Sequence, residues 1–261
     1  MPSAAYARTV RGHGPGLLLA HGAGGGVAAN FGPILDDLAA TRTVVAIDYP
    51  GSGDTPKATA PLSLDDLADQ LVAAGLAEGL DTFAIAGYSL GTAVAARAAA
   101  RHPDRVTALV LTAPFAHPDA SFRAVAERWR DLYLAGDHDG VARHIVPLAL
   151  GPGAVASVPD LEAVIADTAR TLPPGSADHA DLVARVDVRA DLAALTVPTL
   201  VISTTDDRLV PPHLHREVAA LSGAELAALG TGHLPFAQRP EEWRNLITSF
   251  LSQAAPVAAE S

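Results

Sequence analysis

The chain has 261 residues, of which 49% are hydrophobic, and it carries a formal net charge of −11 with no cysteine. This length suits one α/β domain with a modest insertion, and the negative charge argues against nucleic-acid binding, which requires a basic surface. Without cysteine, disulfides, a thiol nucleophile and thiolate-bound metals are excluded. Residues 1–16 lack the apolar core of a signal peptide, and no stretch suits a bilayer span, so we expect a cytoplasmic protein with no membrane partner.

Short apolar runs alternate with longer helical patterns along most of the chain. The runs typical of buried strands are residues 17–20, 44–47, 83–86, 106–111, 200–202 and 225–229. The helical patterns cover residues 31–40, 63–80, 92–101 and 239–251. Ser63 and Asp66 form a capping box at the start of the second helix. Apolar strands that alternate with helices predict an α/β fold, with a mostly parallel central sheet and helices on both faces.

Residues 116–189 break this alternation. Helical patterns follow one another there without a convincing strand, at residues 122–134, 141–150, 160–172 and 177–188. Proline and glycine residues separate several of them. We therefore expect residues 1–115 and 190–251 to form the core, and residues 116–189 to be inserted as a helical cap. The small and polar residues 252–261 are predicted to be a disordered tail.

The strongest motif is G-Y-S-L-G at residues 87–91, directly after one predicted strand and directly before a helix. A nucleophile on such a tight turn points its hydroxyl out of the sheet, and small flanking residues let the strand and the helix approach each other. The helix N-terminus also stabilises negative charge that develops beside it. As a bare pattern the motif also fits a glycine-rich turn with a bystander serine, but its position favours Ser89 as a nucleophile.

Together with two further loops, this motif resembles the α/β-hydrolase family over nearly the whole chain outside the helical insertion. H-G-A-G-G-G at residues 21–26 looks like the family's oxyanion loop, and D-Y-P-G-S-G at residues 48–53 looks like its turn after the following strand. The resemblance implies an oxyanion hole made by the backbone N–H groups of Ala23 and Leu90. We interpret His21 as a brace of this loop rather than as a catalyst.

In this family the acid and then the histidine follow the serine along the chain. The stretch T-D-D-R-L-V-P after the fifth predicted strand resembles the family's acid-bearing loop, which selects Asp207 and leaves Asp206 as the rival. A second interpretation of Asp207 is a cap of the helix that starts near Pro211. G-T-G-H before the last helix supplies His233. Serine requires a base, and the base requires an acid that fixes its tautomer, so Ser89, His233 and Asp207 are the predicted triad.

Two patterns suggest other chemistry more weakly. G-x-G-x-x-A at residues 24–29, with Asp48 ending the next strand, mimics a dinucleotide-binding fingerprint, but its glycines are offset from the strand and it accounts for nothing downstream. His213 and His215 are two residues apart, so on a helix they point to different sides and make no metal pair. We therefore predict neither a metal nor a cofactor.

The predicted chemistry is acyl transfer to water from an ester-like bond, which is a carboxylic ester, a lactone or a thioester. The predicted substrate-contacting residues are Tyr88, Phe115, Phe122, Trp129 and Tyr133. They suit a small molecule with an apolar part, and they also fit simple packing of the cap on the core. A non-hydrolytic enzyme of the same fold (a lyase, cyclase or acyltransferase) and a ligand-binding protein with a passive pocket stay open as alternatives. We expect a monomer or a homodimer.

Overall fold

The computed structural model describes residues 6–254 and contains one seven-stranded sheet. The strands are β1 (Arg8–Arg11), β2 (Gly16–Ala20), β3 (Thr43–Ile47), β4 (Phe83–Tyr88), β5 (Val106–Thr112), β6 (Thr199–Thr204) and β7 (Glu225–Leu229). Their order is β1-β3-β2-β4-β5-β6-β7, with β1 antiparallel to β3 and the other neighbours parallel. The predicted α/β fold with a mostly parallel sheet is confirmed.

Strands β2, β4, β5 and β6 are buried along almost their whole length because helices cover both faces of the sheet. Every residue of β2 is buried, with Leu18 in one core and Leu17 and Leu19 in the other, as the alternation of a strand requires. The edge strand β1 is absent from the sequence prediction. Its residues are R-T-V-R, and both arginines are exposed, so it lacks the apolar run that marks a buried strand.

The described residues form eleven helices. They are α1 (Val27–Ala39), α2 (Leu64–Ala77), α3 (Leu90–Arg101), α4 (Ala120–Leu134), α5 (His138–Ser157), α6 (Leu161–Thr171), α7 (Ser176–Arg185), α8 (Arg189–Ala193), α9 (Pro212–Ser222), α10 (Pro235–Gln238) and α11 (Pro240–Gln253). Helices α2, α3 and α9 cover one face of the sheet, and α1 and α11 cover the other. Within residues 6–254, no helix has the length and apolar character that a membrane span needs.

Helices α4 to α8 connect β5 to β6 without an intervening strand. We call this stretch, residues 120–193, the helical segment. Within it α4 packs on α7 and α5 on α6, and side chains such as Phe122 and Val183 join the core beneath. The division into core and cap at residues 116 and 189 stays a prediction. Of the predicted tail, Ser252 and Gln253 belong to α11, and residues 255–261 lie outside the described residues.

Candidate active site

Ser89 occupies the sharp turn between β4 and α3, with φ of 52° and ψ of −120°. A positive φ is strained for serine and persists only where the surroundings hold it. The flanking glycines allow the turn. A Cβ on Gly87 would lie 2.5 Å from the carbonyl oxygen of Gly91, and a Cβ on Gly91 would overlap the carbonyl of Ala20. A larger residue at either position would therefore push α3 away from the sheet and move the serine.

The imidazole of His233 connects Ser89 to Asp207. His233 Nε2 lies 3.0 Å from Ser89 Oγ, and His233 Nδ1 lies 2.6 Å from Asp207 Oδ2. An ionised carboxylate only accepts hydrogen bonds, so Nδ1 carries the imidazole proton and the Nε2 lone pair faces the serine hydroxyl. All three residues are buried, which strengthens these polar contacts. This arrangement can accept the serine proton as Oγ attacks a carbonyl carbon.

The two carboxylate oxygens of Asp207 have separate partners. Oδ1 accepts hydrogen bonds from the N–H groups of Leu209 and Val210, both at 2.9 Å. Oδ2 faces His233 and also accepts from Thr204 Oγ1 at 2.9 Å. Asp207 thus stabilises the turn over residues 207–210 and contacts the histidine. The alternative interpretation of Asp207 as a helix cap is wrong, because α9 begins after Pro211 without a side-chain cap.

Asp206, the rival acid, is placed differently from its neighbour. It is exposed, and its side chain makes no hydrogen bond to any residue in the described part of the chain. Its backbone N–H donates to the carbonyl of Thr231 at 2.9 Å. The geometry therefore favours Asp207 over Asp206 as the partner of the histidine.

The backbone of His233 is held from both sides. Tyr88 Oη donates to the His233 carbonyl at 2.8 Å, and the His233 N–H donates to the carbonyl of Ala149 at 2.6 Å. A Cβ on the preceding residue, Gly232, would overlap the carbonyl of Leu150. Ala149 and Leu150 belong to α5, so the helical segment helps to set the position of the base. Sequence reasoning missed this role of α5 and the contact of Tyr88 with the His233 backbone.

A second buried histidine lies beside the acid. His215 Nδ1 is 3.0 Å from Ser203 Oγ, and His215 Nε2 is 3.9 Å from Asp207 Oδ2 without a hydrogen-bond partner among the described residues. Burial lowers the pKa of His215 to about 4, so the ring is neutral at pH 7. His213 instead bonds Asp119 Oδ2 at 2.9 Å near the surface. The two histidines thus have different surroundings.

Two backbone N–H groups of the loop after β2 donate hydrogen bonds to side chains. The N–H of Gly22 donates to Asn30 Oδ1 at 2.9 Å, and the N–H of Gly24 donates to His179 Nδ1 at 3.1 Å. Between them, the N–H of Ala23 finds no acceptor in residues 6–254. Ala23 also lines the same cavity as the nucleophile. Its amide can therefore bind a substrate oxygen, as can that of Gly25, which also lines the cavity and has no acceptor within residues 6–254.

The second predicted donor is the N–H of Leu90, the first residue of α3. The described part of the chain provides no acceptor for it, as expected in the first turn of a helix. The partial positive charge of the helix N-terminus acts at the same point. It stays the predicted second donor, beside Ala23, for the oxygen of a tetrahedral intermediate formed on Ser89.

His21 braces the peptide that carries the Ala23 amide. Its Nδ1 lies 2.8 Å from the Gly22 carbonyl, and its Nε2 accepts from the N–H of Tyr49 at 2.9 Å. The second contact fixes the tautomer, because Nε2 must offer its lone pair, so the proton is on Nδ1. Burial is the main cause that lowers the pKa of His21 to about 3. A neutral His21 stacked on Tyr49 therefore supports the loop, in agreement with its interpretation as a brace.

A cavity of about 310 Å³ has Ser89 and His233 in its lining. Its volume is near the lower end of the range of roughly 300–1,000 Å³ for small-molecule sites. Of the predicted substrate-contacting residues, Tyr88, Phe122 and Trp129 line it. Further apolar lining residues include Val125, Ile145, Val146, Val164, Leu172, Leu209 and Phe236.

Two predicted contact residues do not line this cavity. Phe115 is fully buried and packs edge-on against Phe122, with ring centroids 5.0 Å apart. Tyr133 donates from its hydroxyl to the carbonyl of Pro173 at 3.0 Å and stacks on His138. Phe115 thus packs the helical segment on the core, which was the alternative explanation for these aromatic residues, and Tyr133 joins parts of that segment to one another.

The start of α1 is occupied by the protein's own groups. Asp48 Oδ1 accepts from the N–H of Val27 at 2.7 Å, and Ser52 Oγ donates to the carbonyl of Gly25 at 2.5 Å. A carboxylate therefore occupies the place where a dinucleotide pyrophosphate would bind a helix N-terminus. This geometry argues against the dinucleotide fingerprint. No group of three histidine or acidic side chains in the described residues could hold a metal ion.

Comparisons with known proteins identify the family of the chain. Residues 15–154 match the sequence profile of a family described as the alpha/beta hydrolase fold. The chain is 34% identical over 247 residues to the pyrrolizixenacetamide deacetylase of Xenorhabdus hominickii, which covers 93% of this chain and 92% of that protein. It is 33% identical over 238 residues to a pimeloyl-acyl-carrier-protein methyl ester esterase of Neisseria meningitidis, which covers 85% of this chain and 88% of that protein.

A solved structure shows the same fold. An alpha/beta hydrolase enzyme from a Medee basin deep-sea metagenome library superposes with a TM-score of 0.85 at 18% identity, over 95% of this chain and 94% of that one. The profile match and the two relatives confirm the family resemblance that the sequence motifs indicated. The chain belongs to the α/β-hydrolase family and is an α/β-fold hydrolase.

Proposed function

We propose that this hydrolase cleaves ester-like bonds through a Ser89–His233–Asp207 triad and an acyl-enzyme intermediate. One observation carries the proposal: His233 lies 3.0 Å from the serine oxygen on one side and 2.6 Å from the carboxylate on the other. A nucleophile, a base and an orienting acid in contact in this order are what serine-based acyl transfer requires. The bond classes are carboxylic esters, lactones and thioesters.

In the first half-reaction, Ser89 Oγ attacks the carbonyl carbon of the substrate and its proton passes to His233 Nε2. The carbonyl electrons move to oxygen, and the N–H groups of Ala23 and Leu90 bind the resulting oxyanion. Asp207 stabilises the imidazolium that has formed. The oxyanion then collapses, the bond to the leaving group breaks, and His233 protonates the departing alcohol or thiol.

The second half-reaction repeats these steps with water. His233 accepts a proton from water as the water oxygen attacks the acyl-enzyme carbonyl, and the same two amides bind the second oxyanion. Collapse breaks the bond to Ser89, whose oxygen recovers the proton from His233. The products are a carboxylic acid and the free enzyme.

The cavity lining supports an uncharged substrate. Apart from His233, the lining residues include no acidic or basic side chain. The other polar ones are Asn30, Tyr88, Ser89, Thr168 and Thr171. A carboxylate or an ammonium group inside would lose its water without gaining a charged partner, which is costly. We therefore propose a small molecule whose acyl part is neutral and largely apolar.

Acetyl esters and acetyl amides are suitable test substrates. The relative from Xenorhabdus is named a deacetylase of an acetamide, and a cavity of about 310 Å³ readily holds a short acyl group. Acetyl amides extend the ester-like classes, because the same oxyanion hole and base act on both bonds. His233 would then protonate an amine as the leaving group.

A matched pair of chromogenic esters tests the substrate class. p-Nitrophenyl butyrate and p-nitrophenyl hemisuccinate have acyl chains of similar length, but only the second carries a carboxylate. We expect kcat/KM for the neutral ester to be larger by at least about 100-fold, from the cost of burying an unpaired charge. Equal values for the two esters would contradict a neutral acyl pocket. Turnover no faster than that of a Ser89→Ala control would instead favour a passive binding pocket or a non-hydrolytic reaction.

A further inference from the structure

We propose that His179, a side chain of the helical segment, is a positioning residue of the oxyanion hole. It holds the amide of Gly24 and thereby aims the neighbouring N–H of Ala23 at the substrate carbonyl. This inference rests on the proposed function, since it takes Ala23 as an oxyanion donor. It gives the helical segment a part in the chemistry, whereas sequence reasoning placed the catalytic groups entirely outside that segment.

Two peptide planes determine the direction of the Ala23 amide. The described part of the chain has only trans peptide bonds, so the Gly22 carbonyl and the Ala23 N–H point in opposite directions. His21 Nδ1 holds the Gly22 carbonyl at 2.8 Å, which fixes the first plane. His179 Nδ1 holds the Gly24 N–H at 3.1 Å, which fixes the second plane. Ala23 thus lies between two peptides that are each fixed by a buried histidine.

The tautomer of His179 is determined by its second contact. His179 Nε2 lies 3.0 Å from the carbonyl of Pro50, which can only accept, so the ring proton is on Nε2. Nδ1 is then a lone-pair acceptor for the Gly24 N–H. Burial, the largest cause, lowers the pKa of His179 to about 4. The titratable groups that face it are His21 and Tyr49, with ring centroids 6.1 Å away, and the adjacent Asp178.

The N-terminus of α7 is seated on the core, which fixes the place of His179. The N–H of Gly175 donates to the carbonyl of Gly51 at 3.0 Å. A Cβ on Gly51 would overlap Gly175, and a Cβ on Gly175 would overlap the carbonyl oxygen of Pro50. The ring of Trp129 covers Gly24, where a Cβ would overlap it. Trp129 Nε1 in turn donates to Ser176 Oγ at 2.9 Å. Helices α4 and α7 therefore enclose the oxyanion loop together.

His179 does not contact the substrate cavity. It is fully buried and is not among the lining residues, so its removal should leave ground-state binding nearly unchanged. Loss of a whole oxyanion donor lowers kcat by about 10²–10³-fold. A donor that is misaimed rather than lost should cost less, and we expect about a 10–100-fold decrease in kcat with KM within about threefold of wild type.

Two substitutions of His179 distinguish its contact with the Gly24 N–H from its contact with the Pro50 carbonyl. His179→Asn places an amide oxygen near the position of Nδ1 and can still accept from Gly24. His179→Gln places its amide near the position of Nε2 and can keep the contact with Pro50 alone. Arg185→Ala is the matched control, because Arg185 also anchors α7 to the core, through a bond of 3.1 Å from Nη2 to the carbonyl of Leu62.

The measurements are kcat and KM on p-nitrophenyl acetate, the affinity for a boronic acid that mimics the oxyanion, and the melting temperature. We expect His179→Gln to lose kcat and boronate affinity in parallel, His179→Asn to recover most of both, and Arg185→Ala to lower only the melting temperature. A His179→Gln variant with wild-type kcat would overturn the proposal. Equal kcat losses in all three variants would also overturn it, because they would indicate a purely structural role.

The wild-type protein supplies a test that needs no variant. Long-range 1H–15N spectra at pH 7 should show His179 with its proton on Nε2. A proton on Nδ1 would overturn the proposal, because two N–H donors, those of Nδ1 and Gly24, would then face each other and could form no hydrogen bond. A different result would overturn the proposed function itself. If the wild type does not hydrolyse p-nitrophenyl acetate faster than Ser89→Ala, the triad assignment is wrong, and His179 then has no oxyanion hole to position.

Discussion

Gly91 packs against the backbone carbonyl of Ala20, so the first turn of α3 touches the end of β2. A methyl group on residue 91 would overlap that carbonyl oxygen, and only a shift of α3 would relieve the overlap. Ser89 is held at a φ of 52° between β4 and this helix. The close approach of strand and helix therefore also determines where the serine hydroxyl lies.

Gly91→Ala should lower both stability and activity. Overpacking at such a contact costs about 1–3 kcal/mol of unfolding free energy, and the displaced helix carries the Leu90 amide and the serine with it. Gly32→Ala in α1 is the control, since no atom lies within 4 Å of a Cβ there, and it should be neutral or stabilising by about 0.5–1 kcal/mol. Urea unfolding and ester turnover measure both effects. Identical stability and turnover in the two variants would mean that the close approach is unimportant.

Asp207→Asn should reduce kcat far more than Asp206→Asn. The amide favours the wrong tautomer of His233, which costs up to about 10⁴-fold in turnover. Asp206 is exposed and makes no contact with the histidine through its side chain within the described residues, so its substitution should change kcat by less than about twofold. Steady-state kinetics on one ester suffices. The reverse ranking would move the acid to Asp206.

The free energy of unfolding should fall as the pH is lowered from about 6.5 towards 4. Burial lowers the pKa of His21 to about 3 and those of His179 and His215 to about 4. In the unfolded chain these groups have a pKa near 6.5, so the unfolded state binds more protons in this window. Each histidine then contributes up to about 1.4 kcal/mol per pH unit.

Urea unfolding at pH 7.0, 5.5 and 4.5 checks this dependence. In a His215→Asn variant, which lacks one of the three groups, the slope of unfolding free energy against pH should be smaller by up to about 1.4 kcal/mol per pH unit. A stability that does not change between pH 6.5 and 4.5 would contradict this account, because it would show that the folded and unfolded states bind protons equally in this range.

Ile145→Ala should shift the preference of the enzyme towards longer acyl chains. Ile145 lines the cavity, and its truncation adds room for the acyl group. One such contact is worth about 1–3 kcal/mol of discrimination, so the ratio of kcat/KM for octanoate to acetate esters should rise about tenfold. Leu134→Ala is the control, because Leu134 is 67% exposed and lies outside the cavity lining. An unchanged ratio in Ile145→Ala would remove this residue from the acyl pocket. Trp129 is less suitable, since its ring also covers Gly24.

Local sequence signals located Ser89, Asp207 and His233 because each lies on a short loop after a recognisable strand. The structure brings the three together, and their catalytic roles stay a proposal. The contacts of His179 and of α5 with the catalytic loops could not be predicted. These contacts join residues far apart in sequence, such as Gly24 and His179, and a local sequence pattern carries no information about such pairs. Strand β1 was not predicted because strands were recognised by their apolar runs, and an exposed edge strand has none.

The nucleophile is the central claim, and covalent labelling tests it most directly. A fluorophosphonate probe should modify the wild-type protein once, and mass spectrometry of its peptides should place the adduct on Ser89. Ser89→Ala should fold with an unchanged melting temperature, take up no probe, and lose about 10⁶-fold in turnover, as triad removal does elsewhere. An adduct on a different residue, or near-normal turnover by a folded Ser89→Ala protein, would contradict the mechanism.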